Sequence, residues 1–249
     1  MKRAKYFVIL FFLLLMMPLI SYGDWFLDFE GGGVWCTKND VRIPGDTGTP
    51  FSLSDDFSLE SKLVFRLRLG YQLHPRHSLS ILYAPLSLNG EGSVDQDIFF
   101  NGVTFPANAS LQALYTFNSY RLTYRFELVS SKKWQVGIGL TAKIRDAEIK
   151  VEDATQSSSK TDLGFVPLIH FRVKWAFVDK MGLLLEADAL ASPGGQGRAE
   201  DVLLALLFNP SQNVALKLGY RIVEGGADVE EVYNFALLQY VVGGVIITF

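Results

Sequence analysis

Residues 57–73 read FSLESKLVFRLRLGYQL, and this stretch decides the fold. Every odd position except Ser61 carries a large apolar or aromatic side chain. The even positions include the charged residues Glu60, Lys62, Arg66 and Arg68. Because successive side chains of a β-strand point to opposite faces, the stretch predicts a strand with one apolar and one charged face. It is longer than the roughly 5–6 residues of an average soluble strand, and it suits a tilted bilayer-crossing strand, which needs about 9–11.

The same two-faced pattern recurs along the chain and predicts ten strands. They lie near residues 25–36, 57–73, 77–88, 111–128, 133–149, 162–177, 180–191, 200–208, 213–223 and 233–249. Short turns alternate with longer connections, and the longer ones are residues 37–56, 89–110, 150–161, 192–199 and 224–232. This alternation is typical of bacterial outer-membrane barrels. An even strand count lets the first and last strands pair, so that every backbone group finds a partner in lipid.

Two alternatives remain at this point. Residues 180–208 show little polar alternation, so eight or twelve strands also fit the sequence. A soluble periplasmic barrel or sandwich would gather the apolar side chains of Leu67, Ile138 and Phe171 at its centre, whereas a membrane barrel would turn them outward. The long faces rich in Leu, Phe, Tyr and Trp favour the closed antiparallel transmembrane barrel.

The carboxy-terminal strand ends at Phe249, and apolar residues or glycine precede it at alternate positions from Val241 to Ile247. This ending resembles the assembly signal of outer-membrane barrel proteins, although Ile247 stands where an aromatic residue is often found. An aromatic girdle is predicted at the short-turn ends of the strands, formed by Tyr71, Tyr124, Trp134, Trp175, Phe177 and Phe249. The chain thus resembles the small bacterial outer-membrane β-barrel proteins. The resemblance implies a monomer whose partners are outer-membrane lipid, lipopolysaccharide and, during biogenesis, the barrel-assembly machinery.

The amino terminus predicts export. Lys2, Arg3 and Lys5 precede an apolar run over residues 6–20, and Ser21-Tyr22-Gly23 fits cleavage before Asp24. A run of about 15 residues is short for a membrane anchor, which needs roughly 20. We therefore predict a cleaved signal peptide at residues 1–23, one barrel domain at residues 24–249, and the bacterial outer membrane as destination.

Composition excludes several classes of protein. The formal charge of −3 becomes −6 once residues 1–23 are removed, and it gives no basic face for nucleic acid. The single cysteine, Cys36, excludes an internal disulfide framework and a cysteine-rich zinc module. No cofactor or metal ligand is predicted.

If the apolar faces meet lipid, the charged faces point into the lumen. The predicted lumen charge network comprises Glu30, Glu60, Lys62, Arg66, Arg68, Arg121, Arg125, Glu127, Lys143, Arg145, Arg172, Lys174, Glu186, Asp188, Lys217 and Arg221. Side chains nearly fill barrels of 8–10 strands, and buried charges need partners. We therefore expect a structural or surface-interaction role through the extracellular loops, with residues 37–56 and 89–110 as the contact surface. The excess of basic residues leaves a narrow, porin-like, anion-favouring pore as the alternative.

A barrel enzyme acting on lipid or peptide is the third hypothesis. Ten strands is the omptin number, but an omptin-like site needs His and Asp residues near the outer rim. His74 and His77 lie in a predicted periplasmic turn, and His170 lies in the middle of a strand. A lipid-hydrolysing site needs a serine hydroxyl within reach of a histidine base, and neighbours in a strand such as His77 and Ser78 face opposite sides. The sequence predicts no catalytic residue.

Overall fold

The computed structural model describes residues 23–191 and 196–249. Apart from Gly23, the predicted signal peptide lies outside these residues. Among the described residues, no helix is long and apolar enough to cross a membrane.

Strands make up about three quarters of the described chain. In chain order they are β1 (Trp25–Arg42), β2 (Phe51–Ser52), β3 (Lys62–His74), β4 (His77–Ala84), β5 (Ser87–Gly92), β6 (Ile98–Phe100), β7 (Val103–Phe105), β8 (Leu111–Ser130), β9 (Trp134–Glu152), β10 (Ser157–Val178), β11 (Met181–Ala191), β12 (Gly197–Phe208), β13 (Val214–Val229) and β14 (Val232–Thr248). The two-stranded β6–β7 hairpin stands apart from the main sheet.

The main sheet closes into an antiparallel barrel. Its order is β1, β3, β4, β8, β9, β10, β11, β12, β13 and β14, and β14 pairs back onto β1. β5 continues the course of β4 along β8, so ten strands form the wall. Trp25 and Phe249 complete the closure by exchanging backbone hydrogen bonds of 2.8 and 2.9 Å. The structure confirms the predicted closed barrel of ten strands.

The apolar faces of the strands point outward. Leu63 and Leu163 are 84% and 74% exposed, whereas Arg66 and Arg68 are buried in the lumen. Leu67, Ile138 and Phe171 are all exposed on the outside. A soluble barrel would bury these side chains, so the wall has the inside-out polarity of a barrel in lipid.

Several strands run further than predicted at the end of the barrel away from the chain termini, here called the loop end. β1 continues to Arg42, and the predicted long loops at 150–161 and 224–232 shrink to turns at 153–156 and 230–231. The outward-facing residues that are added, such as Lys150 and Glu152, are polar, whereas Val151 between them packs inward. The period-2 signal disappears there because water replaces lipid outside the strands, yet the backbone ladder continues along its neighbours.

The second wall strand begins at Lys62, not at residue 57 as predicted. Phe57 is fully buried and belongs to an inward-folded segment. We call residues 43–61 and 93–110 the cap. The cap contributes buried apolar side chains at Ile43, Phe51, Leu53, Phe57, Ile98, Phe100 and Phe105. They pack against lumen-facing residues of the wall, among them Leu88, Leu111, Tyr115, Val151 and Leu238.

The two cap segments are bonded to each other. The Thr49 amide donates to the Phe99 carbonyl at 3.0 Å, and the Asn101 amide donates to the Ile43 carbonyl at 2.9 Å. The Phe51 and Phe100 rings meet edge to face at 5.8 Å. The loop end of the lumen therefore contains an apolar core, which corrects the expectation of a polar interior throughout.

Candidate functional site

The centre of the lumen holds a buried group of paired charges, here called the ion network. Its members are Asp28, Glu30, Arg66, Arg68, Arg121, Glu186, Asp188, Asp201, Lys217 and Arg221. All ten are buried. Five are basic and five are acidic, so the network carries no net charge of its own.

Asp201 on β12 is a carboxylate that three arginines share. Its Oδ2 accepts from Arg66 Nη2 at 2.8 Å and from Arg121 Nη2 at 2.6 Å, and its Oδ1 accepts from Arg221. These arginines come from β3, β8 and β13, so one carboxylate ties together well-separated parts of the wall. Hydrogen bonds between ionised groups are among the stronger ones in proteins.

The short β1 segment with Asp28 and Glu30 supplies the second acidic centre. Glu30 accepts two bonds from Arg221, from Nε at 2.8 Å and Nη2 at 3.0 Å. Lys217 Nζ lies 2.8 Å from Glu30 and 2.6 Å from Asp28. The two carboxylates face inward together because they are two residues apart on one strand.

Asp188 on β11 joins the network to the lumenal histidine His170. Its Oδ2 accepts from Arg121 at 2.7 Å, and its Oδ1 lies 2.8 Å from His170 Nδ1 and accepts from Thr141 at 2.9 Å. His170 is 1% exposed. Neither His170 nor Asp188 lines the two lumenal cavities described below, so this histidine–aspartate pair is enclosed.

Two cavities lie on opposite sides of the ion network. One, of about 290 Å³, is at the short-turn end and is bordered by Arg125, Arg172 and Lys174 among others. The other, of about 550 Å³, is at the loop end beside the cap and has Lys143 and Arg145 in its wall. The two cavities share no lining residue, so the network separates them.

The structure distributes the sequence-predicted residues over three places. The ion network contains Glu30, Arg66, Arg68, Arg121, Glu186, Asp188, Lys217 and Arg221. The short-turn cavity is lined by Arg125, Glu127, Arg172 and Lys174. The loop-end cavity is lined by Lys143 and Arg145. Arg125 donates to Glu127 at 2.7 Å, and Arg172 lies 3.8 Å from Glu186.

Two predicted members do not join the buried charges. Glu60 and Lys62 are exposed, and they form an ion pair of 3.5 Å where β3 begins. Glu60 precedes β3 and accepts from Asn89 Nδ2 at 3.0 Å, so the alternation of the strand does not determine its direction.

Sequence reasoning missed Asp201 as a member. The stretch 200–208 carries apolar residues on both faces, because Leu203 and Leu207 fill the lumen while Leu204 and Leu206 meet the outside. The one signal for its direction is the position of Asp201 directly before the apolar run at residues 202–208, since a carboxylate at the depth of the bilayer does not face lipid.

The predicted girdle residues lie at the short-turn end, partly or well exposed. Trp134 and Trp175 stack with ring centroids 5.4 Å apart, and Tyr71 packs against Trp25 at 4.9 Å. Tyr124 Oη lies 2.7 Å from His77 Nδ1. Phe177 and Phe249 are exposed.

Comparisons with known proteins show the fold. No protein-family model matches the chain, and no curated protein does. The outer membrane protease OmpT from Escherichia coli matches with a TM-score of 0.54 at 9% identity, over 91% of this chain and 97% of the protease. Ail, the attachment invasion locus protein of Yersinia pestis, matches with a TM-score of 0.42 at 12% identity, over 90% of this chain and 99% of Ail. The Pseudomonas putida toluene transporter TodX matches with a TM-score of 0.36 at 8% identity, over 91% and 89%.

Closure, outward apolar faces and the likeness to the protease define the class. The chain has the fold of the bacterial outer-membrane β-barrels. At these identities the comparisons carry no activity to this chain. Among the described residues, no group of three or more His, Cys, Asp or Glu side chains is arranged to hold a metal ion.

Proposed function

We propose that the protein is an integral barrel of the bacterial outer membrane, exported by its signal peptide, with a closed lumen and a structural or surface-interaction role. The observation that carries the proposal is the ion network, which spans the lumen and consists of buried, mutually paired charges. A network of this kind fills the cross-section that a solute would need. It has as many basic as acidic members, so the basic excess that favoured an anion pore is absent within the network.

The surroundings of such a barrel follow from its faces. The exposed apolar band contacts outer-membrane lipid, and the loop end contacts lipopolysaccharide. A closed sheet has no free edge for pairing with another chain, which supports a monomer. The barrel-assembly machinery is the partner during insertion.

The cap is the surface offered to the outside. Its two segments are held by their own apolar core and by bonds to neighbouring strands, such as Asn101 Nδ2 to the Ser159 carbonyl at 2.8 Å. A fixed surface loses little conformational entropy when a partner binds. We therefore place the interaction surface on residues 43–61 and 93–110.

Planar-bilayer recording tests the closed lumen. The wild-type protein should show no discrete conductance steps, whereas a variant with Arg68→Ser and Glu186→Ser should conduct because the bulk of a cross-lumen pair is removed. The matched control replaces Lys62 and Glu60 with serine, since this pair is exposed and does not belong to the ion network, and it should stay silent. Discrete wild-type steps that vanish when Arg66 and Arg125 are replaced would favour the pore instead.

A further inference from the structure

The loop-end cavity is built like a site for a small molecule. Its volume of about 550 Å³ falls in the range of roughly 300–1,000 Å³ that small-molecule pockets occupy. Apolar side chains from the cap and the wall form much of its lining, namely Ile43, Tyr115, Phe117, Ile149, Val166, Leu190 and Val232. Its lining extends to Glu224 on β13 and to Glu231 in the turn before β14. The cavity is therefore reached from the loop end.

Apart from Lys143 and Glu148, the charged residues that line this cavity are already paired. Arg145 bonds Asp162, Arg198 bonds Glu224, and Lys160 Nζ lies 3.5 Å from Glu231. These pairs are partly or well exposed. The two charges of each pair neutralise one another, so the outer part of the cavity has little preference for an anionic or a cationic ligand.

Lys143 is different because it has no ion pair or hydrogen bond with the described residues. It is 3% exposed, it lines the cavity, and its Nζ lies 4.6 Å from the centroid of the Phe117 ring. The carboxylate of Asp201 attracts the ammonium group of Lys143 from a distance. Asp201 already forms ion pairs with Arg66, Arg121 and Arg221.

A buried ammonium group without a counter-ion is unfavourable, because burial removes most of its hydration. The ring of Phe117 compensates only in part. Arg145, the next inward-facing residue of β9, pairs with Asp162, and its Nε has no acceptor. The base of the cavity therefore holds Lys143 as a buried cation without a paired carboxylate.

We propose that this cavity binds a small organic anion with an apolar body, whose carboxylate pairs with Lys143 and whose body packs on Phe117, Tyr115 and Ile149. The anionic group satisfies the buried ammonium, and the apolar walls select against inorganic anions, which would lose their hydration without a matching contact. The ligand enters from the loop end.

The test is calorimetric titration of the detergent-solubilised barrel with 2-naphthoate and its neutral analogue 2-naphthamide, with protein-free micelles subtracted. Wild-type protein should bind 2-naphthoate at least about tenfold more tightly than 2-naphthamide. Lys143→Met should lose that preference, because it keeps the length of the side chain and removes the charge. Lys150→Met is the matched control, since Lys150 is on the same strand, lines a different cavity and pairs with Glu152 at 2.6 Å.

A second variant keeps the test independent of the buried lysine. Ala147→Phe fills the cavity from β9 while Lys143 stays in place, so it should abolish binding of both compounds. Heat-modifiable gel migration verifies that each variant is folded. Equal affinities of wild type and Lys143→Met for 2-naphthoate would overturn the proposal, as would equal wild-type affinities for the two compounds or no binding of 2-naphthoate at millimolar concentration.

Discussion

Arg68 and Glu186 face each other across the full width of the barrel. Their strands, β3 and β11, are five positions apart in the ten-strand ring in either direction. The guanidinium donates two parallel bonds to the carboxylate, Nη1 to Oε2 at 2.9 Å and Nη2 to Oε1 at 2.6 Å. A bidentate pair across a diameter fixes the distance between opposite walls as well as satisfying two buried charges.

This pair predicts a strongly non-additive stability effect. Glu186→Ala should destabilise the barrel by about 3–5 kcal/mol, because it leaves Arg68 buried without its main acceptor. The double variant with Arg68→Leu and Glu186→Leu should be clearly more stable than Glu186→Ala. Urea unfolding in lipid vesicles measures both. Glu60→Ala is the control, and its exposed pair predicts a change of about 1 kcal/mol or less.

The cap predicts a second effect, confined to the loop end. Phe57→Ala removes a fully buried ring and should cost about 3–5 kcal/mol if the cap unfolds together with the barrel. If the cap unfolds by itself, the same change should instead speed proteolysis within residues 43–61 while the wall stays intact. Limited proteolysis followed by mass spectrometry distinguishes the two. Phe165→Ala, on the exposed outer face, should leave the cleavage rate of the cap unchanged.

The orientation of the barrel is tested by labelling. Asp95 in the cap and Arg76 in a short turn are both exposed and lie at opposite ends. In a Cys36→Ser background, Asp95→Cys should react with an impermeant maleimide on intact cells, and Arg76→Cys should react only after the outer membrane is opened. The reverse labelling pattern would overturn the proposed topology.

The turn between β9 and β10 predicts a local pH dependence. The Thr155 amide and hydroxyl and the Gln156 amide donate to the Asp153 carboxylate, and these bonds lower the pKa of Asp153 below its usual value. Because the pKa of Asp153 is lower in the folded chain than in the unfolded chain, these bonds stabilise the fold at pH values above the pKa of Asp153 in the unfolded chain. This stabilisation is lost as the pH falls through the pKa of Asp153 in the folded chain. Thr155→Ala should raise the pKa of Asp153, as followed by carbon NMR titration. An Asp153 pKa that does not move in this variant would contradict the assignment of its donors.

The fold could be predicted in detail because lipid imposes a simple rule. Side chains such as Leu67 and Ile138 alternate with polar neighbours over the whole bilayer thickness, and only a strand with one face in hydrocarbon requires this. The rule fails where the lipid ends. Phe57 continues the alternation in sequence, but its ring is buried in the cap, since an apolar side chain can equally be covered by protein.

The lumen was predictable as a charged interior but not as a set of partners. Arg66 was assigned inward from its position between Phe65 and Leu67, yet its acceptor Asp201 lies 135 residues further along the chain. Lys143 and Lys217 have the same periodic signature, although Lys217 is paired and Lys143 is not. Periodicity reports the face of a strand, and it contains no information about what stands opposite.

The sequence by itself determined the barrel and, for the strands with clear alternation, the side that meets lipid, because both follow from a repeat of two residues along the chain. Only the tertiary structure decided the cap, the cross-lumen pair of Arg68 with Glu186 and the unpaired Lys143 beside its cavity. Each of these depends on shear and closure, which bring side chains from distant strands to one level of the lumen. Which side chains pair across a closed barrel depends on the arrangement of all its strands, so the sequence of a single strand does not determine the pairs.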